Sequence, residues 1–289
     1  MAGIENVPLW VRLARRTLRR VRQRLRYGVV LGGTAPVFFA NSFPKSGTHL
    51  LTQVLAGFSQ LGPVTASGLP AITIFEGSTG RTHETETILR EINRLRPGDV
   101  GFGHLHAWPE IVSALSRNGM ASYFIFRDPR DVVVSHVFYV TEKEPDHAHH
   151  KFYAEELSNF DERLRVSIQG RPELDISFPN ISDRFEPYLP WLDCPEVLSI
   201  RFEDFIENKE ETLGKVLDHA VSRGFKYSGD RGKAVEVLAS SIDPKSSPTY
   251  RSGRVGGWRE NFAPEHKELF KQCASHLLVT LAYEKDQEW

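Results

Sequence analysis

The chain has few of the features that mark disulfide-stabilised, metal-binding or membrane-spanning proteins. Of its 289 residues only two are cysteines, Cys194 and Cys273, and they lie far apart without metal-ligand or redox spacing. It contains no run of about 18 apolar residues, so no transmembrane helix is predicted. These absences favour a globular protein of the reducing cytoplasm, without a disulfide framework.

A broad basic surface is also missing. The formal net charge is −1, but residues 1–26 hold eight arginines and one glutamate, which leaves −8 for the rest of the chain. Nucleic-acid binding normally requires a wide positive face. The charge distribution therefore argues against nucleic acid as a partner of the main body.

The basic segment has helical spacing. Between Trp10 and Leu25 apolar residues recur at steps of three and four, with arginines between them, which predicts a basic amphipathic helix. Two interpretations of residues 10–26 stay open: peripheral contact with an anionic membrane or an acidic partner, and packing on the acidic body of the same chain. The apolar stretch Tyr27–Ala40 imitates an export signal, but cleavage there would remove the first core strand, so a cytoplasmic location is predicted.

From residue 36 onwards strands and helices alternate, which is typical of a parallel sheet covered by helices on both faces. We therefore predict an α/β fold with three α/β/α layers in one domain, residues 36–289, preceded by a helix and linker in residues 1–35. The predicted strands are 37–42, 99–105, 122–126 and 196–201. The predicted helices are 50–58, 84–96, 108–117, 131–140, 209–223 and 264–284.

The segment Thr141–Pro190 has weak periodicity and many polar residues. Long irregular segments in compact domains usually form lids or binding loops, so we expect it to cover a substrate. Five aromatic residues near or within it are candidates for lining that pocket, although core packing is the default for any one of them. They are Trp108, Phe138, Tyr139, Phe152 and Tyr153.

An anion site is predicted at residues 44–49, Pro-Lys-Ser-Gly-Thr-His, between a buried strand and a helix. Backbone N–H groups and the positive end of the helix converge there, while Lys45 adds a charge and Thr48 a hydroxyl. The loop lacks the first glycine and the Lys-Ser/Thr element of the G-x-x-x-x-G-K-[ST] motif. A glycine-containing turn with a surface lysine is the alternative.

Two further segments carry groups that suit a phosphate. Arg127 follows a predicted strand and Ser135 lies eight residues later in the next helix, so a guanidinium fork and a hydroxyl are available. Residues 250–259 contain three glycines and three arginines, and glycines allow close backbone approach to a phosphate. Taken singly, the first equally fits a capped helix and the second a basic surface loop.

Together the three segments resemble the sulfotransferases that use 3′-phosphoadenosine 5′-phosphosulfate (PAPS), both the cytosolic type and its bacterial relatives, over residues 36–262. The family's 5′-phosphosulfate loop matches residues 43–48, and its arginine and serine for the 3′-phosphate match Arg127 and Ser135. Its late signature R-x-G-x-x-G-x-W-[KR]-x-x-F is intact from Arg251 to Phe262.

The resemblance implies a P-loop-like sulfotransferase fold and a set of nucleotide-binding residues. These are Lys45, Ser46, Gly47, Thr48, His49, Arg127, Ser135, Arg251, Ser252 and Gly253. It implies PAPS as co-substrate, 3′-phosphoadenosine 5′-phosphate (PAP) as product and no required metal. The family's threonine and tryptophan are replaced by His49 and Leu50, so what stacks on the adenine is open.

The resemblance also implies that Lys45 and His104 are catalytic, with His104 as the general base. Phe102 replaces the family's lysine two residues before it. His106 would share a strand face with His104 and is the alternative base. The cluster His147–His150 lacks cysteines or carboxylates at ligand spacing, so we expect a solvated loop rather than a metal site.

The predicted reaction is in-line transfer of a sulfuryl group to a hydroxyl or amine of a small-molecule, lipid or glycan acceptor. A P-loop kinase and a non-catalytic PAP-binding protein are the alternatives. The acceptor's identity and the oligomeric state stay open.

Overall fold

A computed structural model of the chain describes residues 8–31, 35–247 and 253–289. Its strands are β1 (Val37–Ser42), β2 (Thr65–Ala66), β3 (Ile72–Thr73), β4 (Asp99–His104), β5 (Met120–Phe126) and β6 (Val197–Arg201). Its α-helices are α1 (Leu9–Leu31), α2 (Thr48–Gly57), α3 (Thr85–Asn93), α4 (Pro109–Ser116), α5 (Pro129–Phe138), α6 (Phe160–Gln169), α7 (Ile181–Phe185), α8 (Asp204–Glu207), α9 (Lys209–Ser222), α10 (Arg231–Ser240) and α11 (Pro264–Thr280). None of these helices has the length and apolar content needed to cross a membrane.

The sheet is parallel throughout, in the order β2-β4-β1-β5-β6, and β3 pairs with the end of β4. Every residue of β1 and of β5 is buried. Strands buried on both sides require helices over both faces of the sheet. The predicted α/β class with a central parallel sheet is confirmed.

The strand order places the ends of β4, β1 and β5 side by side. Asn41 of β1 pairs with Gly103 of β4, and Ser42 pairs with Ile125 of β5. In open α/β sheets ligands bind beyond the carboxyl ends of the strands. The loop after β1 and the segment after β4 therefore begin at neighbouring points.

The chain forms two compact units. The first, which we call the sheet unit, comprises Met1–Ile74, Glu84–Phe126 and Pro190–Arg251 and contains all the strands named above. The second, the helical unit, comprises Phe75–His83, Arg127–Leu189 and Ser252–Trp289. The boundary predicted at residue 36 stays a prediction.

A cluster of phenylalanines forms part of the core of the sheet unit. The ring of Phe38 on β1 lies 4.8 Å from that of Phe58 and 5.6 Å from that of Phe225, centroid to centroid. Phe58 and Phe225 are 5.0 Å apart in an edge-to-face arrangement, the geometry that aromatic quadrupoles favour. This packing fixes β1 against the end of α2 and so holds the loop between them.

The segment 141–190 is more helical than the sequence analysis expected, because it contains α6 and α7. The side chain of Asn159 caps α6 by accepting a hydrogen bond from the N–H of Glu162 at 3.0 Å, and Leu164 and Ile168 are buried on one face. A ten-residue helix with so few apolar positions gives only a weak periodic signal.

Candidate active site

The loop after β1 combines two unusual backbone conformations. Lys45 has φ +69° and Gly47 has φ +102°. Glycine adopts positive φ without cost, whereas a lysine there is strained. Gly47 is also the N-cap of α2, and no side chain caps the start of this helix, which is the end of a helix that favours an anion.

Ser46 supplies an independent sign that the loop accepts a ligand. Its hydroxyl is fully buried and has no hydrogen-bond partner among the residues that the structure describes. Buried hydroxyls are normally paired, because leaving one unpaired costs free energy. A bound phosphate or sulfate oxygen would satisfy it, so the loop fits an anionic group.

His104, at the end of β4, is held in one tautomer. Its Nδ1 lies 3.1 Å from the carbonyl oxygen of Ser42 and 3.0 Å from the Ser42 hydroxyl. A carbonyl oxygen only accepts, so Nδ1 carries the proton and the lone pair is on Nε2. The ring is therefore arranged to take up a proton at Nε2.

The environment of His104 also keeps it neutral. The pKa of the imidazole is lowered to about 4, mainly by burial and to a smaller extent by the positive charges of Lys45 and His49, while the bond to the Ser42 carbonyl acts in the opposite direction. The imidazole is unprotonated at neutral pH. The structure thus brings together three of the predicted residues, Lys45, His49 and His104.

The alternative base, His106, lies two residues further along. It is buried and packs edge-to-face on Trp108 with ring centroids 5.4 Å apart. Burial lowers the pKa of its imidazole to about 4 as well. The assignment of the base to His104 stays a prediction.

Sequence reasoning missed two residues that position this region. Ser42 binds the His104 ring, and its hydroxyl lies 2.7 Å from the Thr48 hydroxyl at the start of α2. Asn41 forms two hydrogen bonds with the backbone of Leu105, at 2.8 and 2.9 Å. The available signal was the pair of polar residues that ends an otherwise apolar strand.

In the helical unit, Arg127 contacts the loop at the start of the late signature. Its Nη2 donates to the carbonyl oxygen of Arg254 at 2.7 Å and to the carboxylate of Asp131 at 3.2 Å. Asp131 in turn accepts from the N–H groups of Gly256 and Trp258, at 2.9 and 2.8 Å. One carboxylate therefore fixes the loop on α5, a role that the sequence analysis did not assign.

Asp131 holds this position at an energetic cost. Burial raises the pKa of its carboxyl group, although the charge of Arg127 and the two backbone N–H groups act in the opposite direction. Gly253 and Gly256, with φ +61° and +69°, allow the loop its turns. Arg251 and Ser252 lie outside the described residues, and Ser135 is half-buried on α5.

Arg130 contacts the tryptophan of the same loop. Its guanidinium lies 4.1 Å from the ring centre of Trp258 and 4.5 Å from that of Trp289. It pairs with Asp128 at 2.8 Å and Glu284 at 2.5 Å. The signature tryptophan is thus held by an arginine that is itself fully compensated.

The histidine cluster at 147–150 differs from the expected solvated loop. His149 is buried and its Nε2 contacts the carbonyl oxygen of Ile176 at 2.9 Å, while His150 contacts that of Val140 at 2.6 Å. Among the described residues no group of three or more potential metal ligands assembles. These histidines bind backbone carbonyls within the helical unit.

Comparison with known proteins decides the class. The family model described as "Sulfotransferase domain" matches residues 36–280, which is most of the chain. The chain belongs to the sulfotransferase family. A search of curated proteins found no match.

Solved structures share the fold of this sulfotransferase at low sequence identity. Mouse sulfotransferase SULT7A1 complexed with PAP is 17% identical, with a TM-score of 0.57 over 86% of this chain and 87% of that one. Retinol dehydratase in complex with androsterone and the inactive cofactor PAP is 17% identical, with a TM-score of 0.55 over 84% and 80%. Retinol dehydratase with retinol and PAP has the same identity and TM-score over 85% and 82%. The predicted fold and enzyme class are confirmed.

Proposed function

We propose that this sulfotransferase takes the sulfuryl group from PAPS, releases PAP, and uses His104 as general base and Lys45 as the charge-neutralising group. The observation that carries the proposal is the neutral His104 ring, tied through Nδ1 to the Ser42 carbonyl and lying near Lys45. A base needs a free lone pair and a fixed orientation, and this ring has both.

The nucleotide contacts are proposed residue by residue. Lys45, Ser46, Gly47, Thr48 and His49 bind the 5′-phosphosulfate side, which the buried, unpaired hydroxyl of Ser46 supports. Arg127, Ser135, Arg251, Ser252 and Gly253 bind the 3′-phosphate. The likeness to sulfotransferases whose structures contain PAP supports this choice of nucleotide.

When bound, PAPS supplies a sulfuryl group on a phosphate leaving group. His104 Nε2 takes the proton of the acceptor hydroxyl or amine, and the Nδ1–H bond to Ser42 stabilises the resulting imidazolium. Lys45 neutralises charge on the departing phosphate oxygen. Because the loop lacks the Lys-Ser/Thr magnesium element, the proposal includes no metal.

The acceptor is proposed to be a hydroxyl or amine of a small molecule, lipid or glycan. Retinol dehydratase was crystallised with androsterone and with retinol, both small and lipophilic, which supports a small lipophilic alcohol in this chain too. Peripheral contact of residues 10–26 with a membrane would bring the protein to such acceptors.

Two measurements on the purified protein test the proposal. Thermal shift should show stabilisation by PAP that exceeds stabilisation by ADP with magnesium. Labelled PAPS incubated with a metabolite extract should yield a labelled product, and Lys45→Ala should remove most of that label while the exposed-lysine control Lys226→Ala does not. Stabilisation by PAP without any transfer would indicate a non-catalytic binding protein, and preference for ADP with magnesium would overturn the choice of nucleotide.

A further inference from the structure

The N-terminal helix α1 packs on the sheet unit through its basic face. Arg16 is buried and forms an ion pair with the fully buried carboxylate of Asp99, and Arg20 pairs with the same carboxylate at 2.8 Å. Arg16 also donates to the carbonyl oxygen of Arg94 at 3.0 Å. The inward side of this amphipathic helix is therefore charged.

The apolar side of α1 faces solvent as a consequence. At about 3.6 residues per turn, an apolar stripe runs along the side of the helix opposite Arg16 and Arg20. The exposed fractions of its residues are 72% for Trp10, 71% for Leu18, 52% for Val21 and 79% for Leu25. A contiguous apolar surface of this kind usually marks an interaction site.

Arginines border this stripe. Arg15, Arg22 and Arg26 are exposed on one flank. On the other flank a surface pocket of about 370 Å³ is lined by Thr17, Arg20, Val21, Arg96 and Pro97. Arg20 is already paired with Asp99. The guanidinium of Arg96 and the hydroxyl of Thr17, beside the apolar Val21, suit the phosphate of a lipid headgroup next to its acyl chains.

We propose that α1 binds the surface of a bilayer that contains anionic phospholipid, with the apolar stripe in the acyl region and the flanking arginines at the phosphates. Apolar burial and attraction to anionic headgroups together drive such binding. A second copy of the chain fits less well, because residues 9–31 contain eight arginines and no acidic residue. Pairing two such helices would bring like charges together.

The proposal stands independently of sulfuryl transfer, because its test uses neither nucleotide nor acceptor. Full-length protein is sedimented with vesicles of phosphatidylcholine alone and with vesicles that also contain phosphatidylglycerol. We expect at least tenfold stronger binding to the anionic vesicles, weakened by added salt. Equal binding to both, or none to the anionic vesicles, overturns the proposal.

Substitutions on the stripe sharpen the test. Leu18→Glu with Leu25→Glu should reduce binding to the anionic vesicles by at least about tenfold, because burying one leucine alone accounts for a change of that size. Ile206→Glu, at an apolar residue of the sheet unit that is 51% exposed, is the matched control and should leave binding unchanged. Unaltered binding of the double variant contradicts the proposal.

Two controls separate the alternatives. Circular dichroism and thermal unfolding show that each variant is folded. If the double variant proves unstable, Arg15→Gln with Arg22→Gln and Arg26→Gln changes only exposed side chains and should weaken binding several-fold and reduce its salt dependence. If sedimentation velocity shows that the wild type is a dimer and the double variant a monomer, the stripe binds a second copy and the lipid proposal is wrong.

Discussion

The side chains around His104 and those around Trp258 are positioned by different kinds of contact. Around His104 and the loop after β1, the positioning contacts are a backbone carbonyl, serine and threonine hydroxyls and a strained lysine. Around Trp258, arginines and buried carboxylates compensate each other. The first region keeps polar groups available to a ligand, whereas the second uses most of its charge to fix a loop.

This difference has a consequence for mutation. Removing a side chain from the first region should reduce turnover and leave folding intact, because no buried charge loses its partner. Removing one from the second should destabilise the protein or weaken nucleotide binding, because a buried charge or N–H group is then left unpaired.

The largest effect is expected for His104→Ala. Turnover with PAPS should fall by about 10²- to 10⁴-fold, the usual contribution of a general base, measured with labelled PAPS at saturating acceptor. PAP binding and the free energy of unfolding should change little. His106→Ala is the matched control, and a larger loss from that variant would transfer the role of base to His106.

Arg130→Ala should act mainly on stability. Removing the guanidinium breaks the ion pairs with the carboxylates of Asp128 and Glu284, which should lower the free energy of unfolding by about 3 kcal/mol, measured by urea denaturation. Arg171→Ala breaks an exposed pair with Glu173 and should cost less than about 1 kcal/mol. Equal losses of stability in the two variants would mean that the buried ion pairs of Arg130 stabilise the helical unit no more than an exposed ion pair does.

The sequence predicts one of these two regions better than the other, because the contacts of the first are local and those of the second join distant residues. The strand, loop and helix around Lys45 were predicted at the correct positions, because β1 is apolar and adjacent polar residues mark its end. The network around Asp131 was not, since a carboxylate that accepts from N–H groups 125 and 127 residues away looks in sequence like any helix N-terminal acid. Sequence patterns predict local structure, whereas hydrogen bonds between distant residues produce no such pattern.

The N-terminal helix shows the same limit. Its periodicity predicted an amphipathic helix, but not which face would pack on the protein. Asp99 decided that, because a fully buried carboxylate requires cationic partners and the arginines of α1 provide them. Nothing in the spacing of residues 10–25 indicates the presence of that carboxylate.

The titration of His104 gives a smaller, pH-dependent test of the first region. In the nucleotide-free protein its imidazole NMR signal, assigned by loss in His104→Gln, should titrate near pH 4 because burial lowers its pKa. The unfolded chain takes up this proton near pH 6.5. Proton uptake by the unfolded chain therefore leaves the free energy of unfolding unaffected above about pH 6.5 and lowers it as the pH falls from there towards 4. A midpoint near 6.5 would contradict the buried, neutral base.

Asp131→Asn should weaken PAP binding by about tenfold, because the amide has only one oxygen to offer the N–H groups of Gly256 and Trp258. Isothermal titration with PAP measures the change, and Asp175→Asn, at an exposed position, is the control. The substitution also removes the negative charge beside Arg127. Tighter binding of PAP would show that this charge, rather than the loop, dominates.

The smallest effect expected concerns the backbone at Lys45. A lysine at φ +69° is strained by about 1 kcal/mol relative to glycine, so Lys45→Gly should raise the free energy of unfolding by up to about that amount. Lys45→Ala keeps the strain and should not stabilise, while both variants lose turnover alike. Urea denaturation and the labelled-PAPS assay on the same samples compare them. If the two variants have the same free energy of unfolding, the backbone at residue 45 is not strained and this prediction is wrong.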